Sequence, residues 1–316
     1  MLCLDEDQVL PQDRRQIASL FPDFQLIVSR QPETISQAIA YVEIVGGRFP
    51  RDQVLDAPQL KWIQQWSAGA DWILKQPEMK QSEIVVTTAS GIHAIQITEH
   101  IFSFMFSFAR SLPSAKLIQL AGTWNRANSS SVFELFGKTL LVVGIGAIGS
   151  RTAEVAKALG MRVLGVRRHP QRLDPSVEHM FGPDQLSQAL PEADFVVIVT
   201  PLTNETRGMI SSKELDAMKK SAFIINVGRG AVIDEGALTL ALQKDQIAGA
   251  GLDTFEVEPL PDSSPLWKME NVIITCHYAG LSPRYDERAM ALFPDNLGRY
   301  AVGSLLRNVV KTNLGY

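Results

Sequence analysis

Short apolar runs alternate along this chain with longer stretches in which apolar residues recur every three to four positions. The short runs predict strands, and the longer stretches predict helices. Predicted strands lie at residues 25–28, 41–45, 62–66, 84–87, 140–143, 163–166, 195–199, 223–227, 248–252 and 272–275. Because such alternation is typical of parallel sheets with helices on both faces, we expect an α/β protein.

Two groups of strands, each numerous enough for a sheet of its own, predict two doubly wound domains. The helical stretch 97–120 separates the groups, and the helical pattern of 287–302 adds no strand to the second sheet. We therefore expect the C-terminal end to return to the first domain. The expected boundaries are residues 1–96 with 288–316 for a smaller domain made from both chain ends, and 97–287 for a larger one.

A glycine motif follows the first strand of the second group. After residues 140–143 come Gly144, Gly146 and Gly149 in G-x-G-x-x-G spacing, then a helix and the strand 163–166. Gly144 permits a tight turn, Gly146 lets the backbone approach a pyrophosphate, and Gly149 lets the helix pack on the strand. The helix N-terminus favours an anion. The larger domain is therefore predicted to be a Rossmann-type, dinucleotide-binding domain.

Two arginines, rather than an acid, follow the second strand of this unit. An acid at that place would bind the ribose 2′-hydroxyl of NAD(H). Arg167 and Arg168 carry planar guanidinium groups, which suit a 2′-phosphate. We expect NADP(H) to be preferred and NAD(H) to be a secondary cofactor; ordinary surface charge is the alternative interpretation of the pair.

The composition excludes several classes of protein. With a net charge of −4, the chain lacks the basic field that nucleic acid or an anionic membrane would require. The apolar helix 101–109 is too short to cross a bilayer. Cys3 and Cys276 lie far apart and indicate neither a disulfide framework nor a metal site, and the N-terminus lacks a signal-peptide pattern. We expect a cytoplasmic enzyme without a structural metal.

Three side chains that could carry chemistry follow predicted strands of the second group. Arg229 follows 223–227, Glu258 follows 248–252, and His277 follows 272–275. Because ligands bind beyond the carboxyl ends of parallel strands, we expect all three at one rim. Arg229 could clamp a carboxylate, and His277 could give a proton to a forming alkoxide. A hydrogen bond from the histidine ring to the Glu258 carboxylate would fix the histidine tautomer and favour its protonated ring. This set fits reduction of a 2-keto acid.

These residues lie in segments that resemble the D-isomer-specific 2-hydroxyacid dehydrogenase family from about residue 60 onwards. The matching segments are LKWIQQWSAGADWI (60–73), TEHIFSFMFSFAR (98–110), GKTLLVVGIGAIG (137–149), PLTNETRGMI (201–210), INVGRGAVID (225–234), GLDTFEVEPLP (251–261) and HYAG (277–280). The cofactor signature is most similar to that of the NADP-using glyoxylate/hydroxypyruvate reductases. The resemblance implies reduction of a small 2-keto acid to the D-2-hydroxyacid, a flavodoxin-like substrate domain beside the Rossmann domain, and a homodimer paired through the cofactor domain.

The resemblance also implies roles for individual residues. Arg229, Glu258 and His277 become the catalytic set, and Arg229 and His277 also contact the substrate. The backbone of Ala68 and Gly69 is implied to hold the substrate carboxylate. Asp253 is implied to hold the nicotinamide carboxamide. Further implied cofactor contacts are Ala147, Ile148, Thr200, Pro201, Leu202, Val227, Gly228, Ala279 and Gly280.

Some features depart from the family pattern or leave an alternative open. Cys276 replaces the proline that usually precedes the histidine, and Gly228 stands where Ala, Ser or Thr is commoner. Glu256 is a neighbouring acid that could be mistaken for Glu258. His93 could face the substrate, and Trp124 could reach the partner subunit or pack within the dimer interface.

Three other functions occur on related scaffolds. The formate dehydrogenase branch carries glutamine in place of Glu258, and phosphoglycerate dehydrogenases usually add a regulatory tail and an acid at the strand end that here carries Arg167. A non-catalytic, dinucleotide-sensing protein of the corepressor type, which binds partner proteins, is the alternative function. An intact Arg, Glu and His set does not exclude it, because such relatives retain that set.

Overall fold

The computed structural model describes residues 1–80, 82–126 and 128–312. Its strands are β1 (Leu2–Cys3), β2 (Ile44–Gly47), β3 (Trp62–Gln65), β4 (Val85–Thr87), β5 (Thr139–Val143), β6 (Arg162–Val166), β7 (His179–Phe181), β8 (Phe195–Ile198), β9 (Phe223–Asn226), β10 (Gly249–Leu252) and β11 (Val272–Ile274). Its α-helices are α1 (Pro11–Leu20), α2 (Pro32–Ala38), α3 (Ala94–Ala109), α4 (Leu112–Leu120), α5 (Ala147–Ala158), α6 (Leu186–Ala189), α7 (Ser212–Asp216), α8 (Glu235–Gln243) and α9 (Tyr285–Ala301). The predicted α/β class is confirmed.

The chain divides into two compact units. Unit 1 comprises Met1–His93 with Ser282–Tyr316, and unit 2 comprises Ala94–Leu281. Unit 1 contains a parallel sheet in the order β1-β2-β3-β4, and Val28 bridges Leu2 on the other edge of β1. If the segment at Val28 is counted as the second strand, the order becomes 2-1-3-4-5, which is the flavodoxin-like order.

Helix α9 completes the core of unit 1. Its Phe293 ring stacks on Trp62 of β3, with ring centroids 5.6 Å apart, and the Tyr300 ring stacks on Trp62 at 5.5 Å. Trp62 is fully buried, and its indole N–H donates to the hydroxyl of Thr87 at 2.8 Å. Helix α9, which is late in the sequence, therefore covers Trp62, the largest side chain of β3 in the N-terminal segment.

Unit 2 contains a parallel sheet in the order β11-β10-β9-β8-β5-β6-β7. The direction of strand addition reverses between β5 and β8, and this is the order of a doubly wound Rossmann sheet extended by one strand. Strands β5, β8 and β10 are buried along their whole length, as expected for strands covered on both faces. In sheets of this kind, ligands bind at the carboxyl ends of the two strands that flank the reversal, here β5 and β8.

The predicted helix 97–120 is wrong in one respect, because it is broken into α3 and α4. Ser111 has a φ of 54°, in the left-handed region, and α4 has proline in its first turn. Pro113 lacks the N–H that would have donated to Ala109, and the carbonyl of Ala109 instead accepts from the amide of Phe133 at 2.9 Å. The proline therefore ends one helix and begins another.

The strand predictions differ from the structure at four places. The predicted strand 41–45 is shifted, since β2 spans Ile44–Gly47. The segment 25–28 forms only the single bridge at Val28, whereas β1 and β7 were not predicted. β1 has two residues and β7 has three, so neither shows a readable alternation. No helix of the described residues combines the length and apolarity needed to span a membrane.

Candidate functional site

The glycine loop links β5 to α5 in unit 2. Gly144 has a φ of +112°, and a Cβ atom on it would lie 3.0 Å from the backbone nitrogen of Thr200. A Cβ atom on Gly149 would lie 2.1 Å from the carbonyl oxygen of Gly144, so only glycine lets α5 approach the loop this closely. The two glycines therefore fix the loop against β5 and the end of β8.

The middle of the loop leaves room for a ligand. Gly146 is the N-cap of α5, and a Cβ atom on it would meet nothing within 4 Å. Gly146 and Ala147 are exposed, and Ile148 is half-buried. The hydroxyl oxygen of Thr200 is buried and has no hydrogen-bond partner within the described residues. An open helix N-terminus beside an unsatisfied hydroxyl fits the pyrophosphate of a dinucleotide.

Arg167 and Arg168 follow directly after β6. The amide of Arg167 donates to Phe181 of β7 at 3.1 Å, and its Nη1 donates to the carbonyl of Arg172 at 2.8 Å. Arg168 forms an exposed ion pair with Glu205. The backbone bond to β7 fixes where the side chain of Arg167 leaves the sheet, at the strand end next to the glycine loop.

The other residues expected on the cofactor side lie after neighbouring strands of the same sheet. Thr200, Pro201 and Leu202 follow β8, and Val227 and Gly228 follow β9. Gly228 packs so closely that a Cβ atom on it would lie 2.8 Å from the carbonyl oxygen of Thr200. The segments after β8 and β9 are therefore in direct contact.

Glu258 and His277 form a hydrogen-bonded pair. Oε2 of Glu258 lies 2.6 Å from Nδ1 of His277, and Oε1 accepts from the amide of Phe255 at 3.0 Å. The His277 amide donates to the carbonyl of Asp253 at 2.9 Å, and its φ of 54° lies in the left-handed region. The His277 side chain remains 50% exposed. The ring is thus oriented through Nδ1, which leaves Nε2 available to another molecule.

Arg229 lies on the loop after β9, next to the loop that carries Glu258. A Cβ atom on Gly230 would lie 1.8 Å from the carbonyl carbon of Phe255, so these two loops are in backbone contact. Asn226 braces the turn: its Nδ2 donates to the carbonyl of Arg229 and its Oδ1 accepts from the amide of Gly228, both at 3.0 Å. Arg229, Glu258 and His277 therefore follow three adjacent strands, β9, β10 and β11.

Asp253 is the buried anchor of the segment around His277. It is 1% exposed, and its Oδ1 accepts from the Thr275 hydroxyl at 2.6 Å and from the amide of Tyr278 at 3.0 Å. The amide of Ala279 lies 3.1 Å from Oδ2. These bonds hold the residues on both sides of His277 to one carboxylate.

His100 of α3 extends this network. Its Nε2 lies 2.9 Å from the Thr275 hydroxyl oxygen, and burial, opposed by the Asp253 charge, lowers its pKa below the usual value. The neutral form therefore prevails at neutral pH. Because Thr275 gives its hydrogen to Asp253, the His100 Nε2–H must donate to Thr275. The sequence did not predict this hydrogen-bonded network. The available signal was the position of His100 on the buried side of an apolar helix.

Ala68 and Gly69 lie in unit 1, in the segment after β3. The Gln65 side-chain amide donates to the carbonyls of Ser67 at 3.0 Å and Gly69 at 2.6 Å. Within the described residues, the amide N–H groups of Ala68 and Gly69 have no acceptor in the protein. The segment is therefore braced through its carbonyls while two adjacent N–H groups stay available to a ligand.

The sequence left the roles of His93, Trp124 and Glu256 open. His93 lies in unit 1, with its ring edge-on to that of Tyr285 at 5.2 Å between centroids. Trp124 is fully exposed, and Glu256 is exposed with its amide bonded to Glu235. The described residues contain no group of three or more His, Cys, Asp and Glu side chains arranged for a metal ion.

The fold and the site define an NAD(P)-binding oxidoreductase with a Rossmann-type domain. The family model "D-isomer specific 2-hydroxyacid dehydrogenase, NAD binding domain" matches residues 102–279. The chain belongs to the D-isomer-specific 2-hydroxyacid dehydrogenase family, whose members are oxidoreductases acting on 2-keto acids. This confirms the family expected from the sequence.

Several relatives support this assignment. The chain is 33% identical to the glyoxylate reductase of Korarchaeum cryptofilum, over 88% of this chain and 84% of that one. It is 34% identical to the glyoxylate reductase of Aeropyrum pernix, over 92% and 86%. A D-isomer-specific 2-hydroxyacid dehydrogenase of Xanthobacter autotrophicus, solved with NADPH and MES, is 28% identical with a TM-score of 0.83, over 97% and 96%.

Proposed function

We propose that the protein is an NADPH-preferring reductase that converts a small 2-keto acid to the D-2-hydroxyacid, with glyoxylate or hydroxypyruvate as the reference substrates. Unit 2 is the cofactor domain and unit 1 the substrate domain. The observation that carries the proposal is the Glu258–His277 pair, in which Oε2 and Nδ1 are 2.6 Å apart. The loop that carries Glu258 is also in backbone contact with the loop that carries Arg229. It is supported by the names of the relatives from Korarchaeum and Aeropyrum.

The proposed roles follow from the chemistry of each group. The amides of Ala68 and Gly69 and the guanidinium of Arg229 bind the substrate carboxylate. When bound, the reduced nicotinamide supplies a hydride to the carbonyl carbon and is itself oxidised. His277 donates the proton on Nε2 to the carbonyl oxygen, and Glu258 stabilises the charged ring through Nδ1 while that proton is held. Solvent returns the proton to His277 after the hydroxyacid leaves.

The dinucleotide is held by the glycine loop and the strand ends around it. Gly144, Gly146 and Gly149, with Ala147 and Ile148, hold the pyrophosphate at the N-terminus of α5. Arg167, with Arg168, binds the 2′-phosphate. The segments 200–202, 227–228 and 279–280 and Asp253 line the remaining cofactor, and the unsatisfied Thr200 hydroxyl is suited to donate to it.

The cofactor preference has its own test. Replacing Arg167 by Asp places a negative charge where the 2′-phosphate is expected. We expect the ratio of kcat/KM for NADPH to that for NADH to fall by about 10- to 100-fold. Lys244→Asp, at the exposed C-terminal end of α8, changes the net charge equally and should leave the ratio as it is. An unchanged ratio in Arg167→Asp would assign the 2′-phosphate to other residues.

The oligomeric state is also part of the proposal. We infer a homodimer paired through the cofactor domain. Apolar side chains are exposed on α3 and α4, including Phe106 at 42%, Leu117 at 60% and Leu120 at 72%, and Trp124 follows them fully exposed. Several exposed large apolar side chains on two successive helices are a feature of protein interfaces. Trp124 then lies at the edge of that interface, close to the partner subunit.

The reaction itself is tested by following NADPH absorbance with glyoxylate, hydroxypyruvate and larger 2-keto acids. We expect turnover with at least one of them and formation of the D-hydroxyacid, identified by chiral chromatography. NADPH binding without turnover of any 2-keto acid would favour the non-catalytic, dinucleotide-sensing function instead.

A further inference from the structure

A cavity of about 470 Å³ opens in unit 1 at the carboxyl ends of β2 and β3. Apolar and aromatic side chains form most of its wall, namely Phe49, Ile63, Trp66 and Trp72, with the phenol of Tyr285. This volume is within the roughly 300–1,000 Å³ range of small-molecule sites. Glyoxylate has no side chain beyond its aldehyde hydrogen, so it would leave most of this space empty.

Two arginines give the cavity a positive charge. Arg48 and Arg51 both line it, and no carboxylate side chain lines it within the described residues. Arg48 lies 3.7 Å from Asp286, a loose ion pair, while Gln8 donates to the other oxygen of that carboxylate at 2.8 Å. Asp286 therefore offsets the charge of Arg48 only in part, because a separation of 3.7 Å is too long for a hydrogen bond.

Arg51 contributes a charge without an ion pair to any described residue. Its guanidinium lies over the ring of Trp72, 5.4 Å from the ring centroid, and its Nη2 lies 3.5 Å from the Ser67 hydroxyl. The stacking positions the guanidinium plane but does not neutralise it. Trp72 is in turn fixed, because its indole N–H donates to Oε1 of Gln65 at 2.8 Å.

Gln65 connects the cavity to the proposed carboxylate-binding segment. Its side chain lines the cavity, and its amide nitrogen holds the carbonyls of Ser67 and Gly69. Ser67, which also lines the cavity, directly precedes Ala68. A keto acid held by the Ala68 and Gly69 amides therefore lies next to a residue of the cavity wall, and its far end can extend towards Arg48 and Arg51.

We propose that this cavity selects 2-keto acids that carry a second anionic group, a carboxylate or a phosphate, at the end distant from the keto acid. This inference rests on the proposed function and names its substrate class. The aromatic wall excludes water around the carbon chain, and the two guanidinium groups compensate the second charge. A neutral chain of equal length would leave the Arg51 guanidinium without an anion and Arg48 with only its loose pair to Asp286.

The inference is tested with pairs of keto acids that differ in distal charge. In low-salt buffer with NADPH, kcat/KM is measured for 2-oxoglutarate against its neutral, nearly isosteric amide, 2-oxoglutaramate, and for 3-phosphohydroxypyruvate against hydroxypyruvate. We expect the charged member of at least one pair to be favoured by tenfold or more. The pair with the larger ratio distinguishes a carboxylate from a phosphate. Adding 0.5 M KCl should reduce the ratio in the wild-type enzyme, since both arginines are accessible to solvent.

Substitutions then assign the selection to the cavity. For the pair with the larger preference, Arg51→Gln should bring the charged-to-neutral ratio of kcat/KM towards one. A general loss of activity lowers both kcat/KM values and does not change their ratio. Arg15→Gln removes the same charge from an exposed position of α1 that does not line the cavity, and should leave the ratio unchanged. Ligand binding is followed separately by tryptophan fluorescence, because Trp66 and Trp72 are in the cavity wall.

The outcomes separate this inference from the proposed function. If keto acids are turned over but the charged and neutral members of each pair have equal kcat/KM at low salt, the inference is overturned. The proposed function then still stands. Charge-selective binding without turnover supports the inference and overturns the proposed function. If neither turnover nor charge-selective binding is observed, both the inference and the proposed function are overturned.

Discussion

His277 is fixed by its own backbone, by Glu258 and by the neighbours that Asp253 holds. His277→Ala removes the proposed proton donor but no expected cofactor contact. We expect kcat to fall by about 10²- to 10⁴-fold while the Kd for NADPH changes little. His179→Ala, at an exposed histidine of β7, serves as the control. Wild-type kcat in His277→Ala would require another proton donor.

Thr275 is the centre of the chain of hydrogen bonds from His100 to Asp253. Thr275→Val preserves shape but removes the hydroxyl, which leaves the Asp253 carboxylate short of one donor. We expect the free energy of unfolding to drop by about 1–3 kcal/mol and kcat to fall with it. Thr275→Ser restores the hydroxyl and should recover most of both quantities. Urea unfolding and steady-state kinetics measure them; equal effects of Val and Ser would show that the hydroxyl does not matter.

The sequence indicated the acid–histidine pair, because each residue follows a predicted strand and such residues meet at one sheet edge. It did not indicate that Asp253, Thr275 and His100 are bonded together. That contact joins a helix to the ends of two strands, and it depends on how α3 packs on the sheet. Packing of this kind has no short sequence pattern, so the structure was needed to reveal it.

At the scale of elements, the loops after β9 and β10 depend on a glycine. Gly230→Ala would force a Cβ atom into the backbone of Phe255 and displace the segment that carries Glu258. We expect a loss of about 1–3 kcal/mol in stability, and a fall in kcat/KM larger than stability alone explains. Gly236→Ala, in the first turn of α8, meets only ordinary contact with Asp234 and is the matched control.

Thermal unfolding and kinetics at a temperature where Gly230→Ala is folded separate the two effects. A variant that is destabilised but fully active would show that the loop contact supports the fold and not the placement of Glu258.

The long elements of the sheet were predicted well, and the short or interrupted ones were not. Strands of four or five buried residues, such as β5 and β8, read as continuous apolar runs. β1 and β7 are too short to read in that way, and their pairing with β2 and β6 is what makes them strands. Pro113 was the sequence signal for the break between α3 and α4. Because the apolar pattern continues on both sides of Pro113, the two helices were predicted as one.

At the scale of the whole molecule, the exposed apolar face of α3 and α4 predicts self-association. Leu120→Glu places a charge at that face, where a dimer would have to bury it. We expect the sedimenting species to change from dimer to monomer at micromolar concentration. Leu173→Glu is the control, since Leu173 is 80% exposed in unit 2 outside these helices. A wild-type protein that sediments as a monomer would contradict the homodimer.

The way α9 completes unit 1 has a consequence for synthesis on the ribosome. Trp62 lies in a strand made early, yet the rings that stack on it, Phe293 and Tyr300, are translated only after the whole of unit 2. Unit 2 is continuous in sequence and can fold as soon as it emerges. Until α9 is made, the N-terminal segment cannot bury the indole of Trp62. We therefore expect chaperones to bind this segment of the nascent protein.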